Sequence, residues 1–177
     1  MTDNHPKSKL LVLCGPPGCG KTTLIEKFLE QNSDYKFFDI FNYIQRYKDE
    51  NGDLGLNGSA LAHEEMYQDL KKVKENIILE IGTNRAEFHF ENLKFLEPDF
   101  KINIFLCILD KDICINRTLA RWEQSQGRNY PSREYLEEKF KRGFPQVQKK
   151  ISEDLGLDSS FLDMSLPTDR LLVIISE

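Results

Sequence analysis

Gly15, Pro16, Pro17, Gly18, Cys19, Gly20, Lys21 and Thr22 stand in an unbroken run whose types and spacing suit one task, gripping a chain of phosphates. The run fits G-x-x-x-x-G-K-[ST] without a mismatch. Glycines at its first, fourth and sixth positions let backbone N–H groups curl around a β-phosphate. Lys21 brings a point positive charge to the β- and γ-phosphates, and the Thr22 hydroxyl, followed by Thr23, offers a Mg²⁺ position. This chemistry is binding of a nucleoside triphosphate, with ATP and Mg²⁺ as the expected cofactors.

Such a loop works only between a strand and a helix, and the flanks supply both. Residues 9–14 are an apolar run of buried-strand type, and Leu24, Ile25, Phe28 and Leu29 recur at helical spacing after the loop. Further along, strand and helix patterns alternate. Strands are expected over 35–38, 76–80, 101–109 and 171–175, and helices over 40–50, 59–75 and 86–96. Another helix is capped by Asp110 and reaches about 124, and one more starts at Ser132. Residues 51–58, with their glycines and Asn-Gly pairs, are a loop, and 125–131 is a polar break. Alternation of this kind predicts an α/β fold: a five-stranded parallel sheet covered by helices on both faces, three layers in all, with ligands at the carboxyl ends of the strands. The phosphate loop, Asp39, Glu80 and Asp110 all fall at such ends.

Composition narrows the rest. The 177 residues leave room for one α/β domain and little else. A formal net charge of −5 argues against an extended nucleic-acid surface. No apolar run approaches the length of a membrane span, and the polar N-terminus lacks a secretory segment. The cysteines at 14, 19, 107 and 114 form no C-x-x-C pair, and the histidines are scattered, so free thiols in the cytoplasm are expected rather than a zinc site.

Among the charged residues, Glu80 closes a strand where nucleotide-binding folds carry an acid for Mg²⁺ or its water; a solvent-facing strand end is the alternative. Arginines concentrate in the second half. Arg117 and Arg121 share a helix face, and Arg128 follows in a Gly-containing loop. Phosphoryl transfer spreads negative charge over equatorial oxygens, and arginines closing over them stabilise it. The interspersed Glu123, Glu134, Glu137 and Glu138 allow plain charge balance instead, most of all for Arg133, Lys139 and Arg142.

The stretch from Arg117 through Arg121, Arg128 and Arg133 to Glu137 resembles the short lid of nucleoside monophosphate kinases of the uridylate–cytidylate and adenylate kinase type. Residues 80–85 resemble that family's Asp-Gly-Phe-Pro-Arg segment, and 41–46 its Gly-Asp-Leu-Leu-Arg segment. The resemblance implies a P-loop NTPase fold with an arginine-bearing lid over about 124–132 and an acceptor-side segment over about 40–75. It implies that Lys21 contacts the moving phosphate, that Arg117 packs on the base, and that Arg121 and Arg128 clamp phosphates. Arg46 and Arg85 would hold the phosphate of a nucleoside monophosphate or similar acceptor. The sequence departs from the family at Asn129, Tyr130 and Pro131, where two acids are expected. Tyr43 replaces an acid, and His89 stands where the family reads the acceptor base with Gln.

Residues 78–85 also resemble the Ile-Glu-Gly-Thr-x-Arg segment of zeta-toxin-like kinases, which phosphorylate a sugar hydroxyl. A hydroxyl acceptor needs a base, and Asp39 is placed for one; a helix cap is its other reading. A guanine-nucleotide switch would carry Asn-Lys-x-Asp where Leu109-Asp-Lys-Asp112 stands, which argues against guanine. A non-catalytic ATP-binding module is the remaining alternative.

Overall fold

The computed structural model describes residues 7–125, 132–141 and 144–177. Five strands form its sheet: β1 (Ser8–Cys14), β2 (Tyr35–Asp39), β3 (Asn76–Ile81), β4 (Phe100–Ile108) and β5 (Ser159–Asp163). Their order is β2-β3-β1-β4-β5, and every neighbouring pair is parallel. Alternation along β1 divides the core. Leu10, Val12 and Cys14 face one apolar cluster, with Ile77 and Leu79 of β3 beside them; Leu11 and Leu13 face the other, with Ile78. Period-two side chains buried on both faces give the continuous apolar runs read in the sequence.

Helices cover each face. On one side lie α3 (Gly58–Leu70) and α4 (Ala86–Leu96), contributing Met66, Tyr67, Phe90 and Leu93. On the other, α1 (Lys21–Gln31) buries Leu24, Ile25 and Phe28. It is joined there by α5 (Lys111–Ser125) through Cys114 and by α8 (Thr168–Ser176) through Leu171, Leu172 and Ile175. Asp110 caps α5 as expected, accepting from the backbone N–H groups of Asp112 and Ile113 at 2.9 and 3.1 Å. Between α5 and β5 lie α6 (Arg133–Lys141), where Ser132 Oγ accepts from Tyr135 N, and α7 (Gln146–Asp154).

The final strand differs from expectation. Residues 171–175 are helical, and the fifth strand is β5, about ten residues earlier. Leu171, Leu172 and Ile175 are buried while Val173 is 59% exposed, a one-sided helical spacing hidden inside a short all-apolar run. The burial pattern of β5 at the sheet edge leaves Phe161 exposed, so its sequence carries little apolar signal. The helix after β2, α2 (Ile40–Arg46), is also shorter than 40–50. Asp49 accepts from the N–H groups of Asn51 and Asp53, each at 2.9 Å, and this turn diverts the chain from the helix.

Candidate functional site: a phosphate-loop cleft

Residues 15–20 leave the carboxyl end of β1 and deliver the chain to the N-terminus of α1. Two glycines make this geometry feasible. Gly18 has φ +80°, and a Cβ there would stand 2.3 Å from the Cys114 carbonyl oxygen. Gly20 has φ +99° and is the N-cap of α1, with no side chain capping the helix. A left-handed turn therefore leads into uncapped N–H donors, the arrangement that receives anions.

Lys21 folds back under this loop. Its Nζ donates to the Gly15 and Pro16 carbonyls at 2.9 and 3.1 Å and lies 3.6 Å from Glu80 Oε1. Burial by itself would lower its pKa, but Cys19 and Glu80 outweigh that, so the ammonium stays charged above the ordinary lysine value. Thr22 Oγ1 donates to Glu80 Oε2 at 2.9 Å. The hydroxyl and carboxylate thus meet at the floor of the cleft. A magnesium ion takes one or two protein oxygens and fills its remaining positions with water and phosphate, so this pair fits it. Among the described residues no cluster of three or more His, Cys, Asp or Glu could hold a metal on protein ligands alone.

Asp39 is the register partner of Glu80 across β2 and β3, so the two carboxylates sit on adjacent strand ends. Its Oδ1 accepts from Phe41 N at 3.0 Å and caps α2. Asp39 also lines the cavity of about 240 Å³ that contains Lys21, Thr22, Thr23, Glu80 and Arg121. Cap and cavity wall are therefore not alternatives; this residue is both. Arg121 and Thr23 are shared with a second cavity of about 340 Å³ on the far side of the loop. Arg117 lines that one, opposite Met164, Leu166 and Leu171. The two cavities share Gly18, Gly20, Thr23 and Arg121, and the second adds the apolar side chains of Met164, Leu166 and Leu171. Met164, Leu166 and Leu171 escaped the sequence reading because they belong to the β5–α8 region, where the strand was misplaced.

The remaining expected residues lie elsewhere. Arg46 pairs with Glu65 at 2.6 Å and covers the Tyr43 ring at 4.4 Å. Arg85 is the N-cap of α4, with φ 58°, its guanidinium 5.6 Å from the centre of the Phe88 ring. Neither lines the phosphate-loop cavity. His89 is buried, and its Nδ1 is 2.9 Å from the Tyr67 hydroxyl. Arg128 and most of the expected lid lie outside the described residues. All four cysteines are free and buried. Cys19 lies 3.8 Å from Lys21 Nζ; a hydrogen bond from Cys107 and the Lys21 charge hold its thiol below the ordinary cysteine value against the opposing effect of burial. No helix among the described residues is long and apolar enough to cross a membrane.

Comparison with known proteins agrees with this architecture. A candidate kinase from Chloroflexus aurantiacus superposes with a TM-score of 0.73 at 18% identity, covering 96% of this chain and 94% of its own. A chain of the Pnkp1/Rnl/Hen1 RNA repair complex gives 0.65 at 18% identity; 84% of this chain is covered, but only 47% of that one. Shikimate kinase from Acinetobacter baumannii, solved with shikimate, gives 0.62 at 16% identity over 96% and 92% of the two chains. At these identities the likeness is one of fold, that of P-loop kinases. No curated protein matches the sequence. Residues 1–102 match the model of the Rad17 P-loop domain, more than half of the sequence, and the chain belongs to that family.

Proposed function

We propose that the protein is an ATP-dependent phosphotransferase acting on a hydroxyl of a small molecule, with Asp39 as the base. The observation that carries this reading is the pairing of Asp39 with Glu80 at neighbouring strand ends, both lining the cavity that holds Lys21 and Arg121. The acceptor oxygen attacks the γ-phosphorus as the bond to the β–γ bridging oxygen breaks. The acceptor's proton passes to the Asp39 carboxylate, and ADP leaves. Lys21, the loop N–H groups and Arg121 hold the charge that spreads over the phosphoryl oxygens. Thr22 and Glu80 would hold Mg²⁺, which supplies further neutralisation of the phosphates when bound. The base would enter the cavity lined by Met164, Leu166 and Arg117.

A nucleoside monophosphate acceptor draws less support. Such an acceptor is already ionised and needs no base, which leaves Asp39 only its role as the cap of α2. Arg46 is engaged by Glu65, and His89 is 2% exposed, where it cannot read a base. The neighbour named as a shikimate kinase, solved with shikimate, accords with a small-molecule acceptor.

The test is a γ-labelled ATP assay over hydroxyl and monophosphate acceptors. Lys21→Ala should abolish transfer. Asp39→Asn should lower kcat about a hundredfold while ATP affinity holds, since it retains a capping oxygen but not the base. Transfer to a monophosphate, undiminished in Asp39→Asn and lost in Arg46→Ala, would replace this reading with the other.

A further inference from the structure

Leu136 of α6 is 3% exposed, yet it belongs to neither of the apolar clusters that flank the sheet. Its surroundings lie elsewhere. Together with Phe140 and Phe144 it bounds, with Pro16, Pro17 and Thr83, a space of about 10 Å³. That has room for one water at most, so it is a packing contact and no ligand site. The prolines on its other side are the first half of the phosphate loop.

The second half of the loop is held from another direction. Gly18 lies against α5, so close that a Cβ there would stand 2.3 Å from the Cys114 carbonyl oxygen and 2.8 Å from Thr118 Oγ1. Thr118 is itself fixed, buried and donating to the Cys114 carbonyl at 2.8 Å. The two helices that meet the loop also meet each other. Arg133, the first residue of α6, donates to Asn116 Oδ1 and lies 4.0 Å from Asp112, both on α5. The loop is therefore gripped between two helices that are tied together. One of them, α5, also carries Arg117 and Arg121 to the second cavity.

The geometry points to Leu136 as a positioning residue for nucleotide binding, which seats the Pro16–Pro17 half of the phosphate loop. Proline fixes φ at both positions, so this half moves as a stiff piece, and its seat decides where Gly18 and Gly20 fall. Leu136 lines neither cavity beside the loop and touches no phosphate. It acts by raising the fraction of molecules whose loop already has the binding conformation. Without the seat the loop samples other arrangements, and binding must first gather it. The grip also links α5 and α6 to the nucleotide: whatever tightens these helices on the loop tightens binding, and the nucleotide tightens the helices in return. This inference deepens the nucleotide-binding reading and rests on it.

Titration calorimetry of the full chain with Mg²⁺ and a non-hydrolysable ATP analogue tests it. Leu136→Ala should raise Kd about tenfold and Leu136→Val about threefold. Leu136→Met, which restores the volume, should come within about twofold of the parent protein. Leu93→Ala controls for lost stability, because Leu93 is buried on α4 and lines neither the loop cavities nor this contact. Its melting temperature should fall, as in Leu136→Ala, while its Kd holds. In ¹⁵N spectra without nucleotide, the amides of Gly15, Gly18 and Gly20 should move in Leu136→Ala and stay in Leu93→Ala. If Leu136→Ala does not fold, Leu136→Val decides. Affinity unchanged in the Leu136 variants, or weakened equally in Leu93→Ala, would overturn the seat and leave the nucleotide reading standing. Absence of binding by the parent protein would end both.

Discussion

His89 shows how much a single residue's meaning depends on its surroundings. In sequence it stands where the nucleoside monophosphate kinases that the chain resembles carry a base-reading Gln; in space it is 2% exposed and bonded to Tyr67. Burial first, then the nearby His63 and Arg85, push its pKa down to about 3. The folded protein therefore holds His89 neutral where the unfolded chain, with an ordinary value of about 6.5, would protonate it. Stability from this residue is present above about pH 6.5 and is lost as pH falls towards 3. At pH 5 the loss is about 2 kcal/mol, from roughly 1.5 pH units below the unfolded value. Urea unfolding at pH 7 and pH 5 should show this drop, and His89→Asn should shrink it by a similar amount. His63 is also depressed, by burial ahead of its other influences, so some acid sensitivity should survive in that variant.

At the scale of elements, the C-terminal segment is where periodicity and packing disagree most. Leu171, Leu172, Val173, Ile174 and Ile175 are five apolar residues, two of them β-branched isoleucines and one a valine, and by type they suit a strand. Alternation would bury 171, 173 and 175 together. The helix instead buries 171, 172 and 175 against α1 and exposes Val173. Ile175→Ala should therefore cost about 3 kcal/mol, as expected for a fully packed residue, whereas Val173→Lys should stay within about 0.5 kcal/mol. Chemical denaturation of the two variants checks this, and equal losses would restore the strand. The same region lines the second cavity beside the phosphate loop, so its geometry bears on the candidate site as well as on the fold.

Across the whole molecule, the parallel sheet brings the ends of β1, β2 and β3 to one edge, and the cleft forms there because neither strand end nor loop can close it. A ligand that bridges the phosphate loop, Glu80 and Arg121 ties these elements together. Mg²⁺–ATP at about a hundred times its dissociation constant should add about 2.7 kcal/mol to stability and raise the melting temperature by about 5–10 °C. Lys21→Ala should remove this shift while changing the ligand-free melting point little, because Thr22 still bonds Glu80. Differential scanning calorimetry with and without nucleotide decides it. A full shift in the variant would separate the loop from nucleotide binding.

The sequence by itself determined the phosphate loop, the strand before it, the helix after it and the placing of Asp39 and Glu80 at strand ends. These are local facts: glycine's access to positive φ, a lysine at fixed spacing and apolar runs of strand length all act over a few residues. Tertiary structure decided what no window of residues contains. Asp39 and Glu80 are 41 positions apart, and only the β2–β3 register makes them neighbours. Arg46 and Arg85, alike as acceptor arginines in sequence, part company because Glu65 claims one and α4 carries the other to a separate cavity. The fifth strand lies in residues 159–163, where pairing with β4 supplies the backbone bonds that a weakly apolar edge segment does not advertise. Gln148 had no signal at all. Its side-chain carbonyl oxygen is buried without a donor, which is a property of packing, and packing is settled only when α7 meets α4 and the loop after β3.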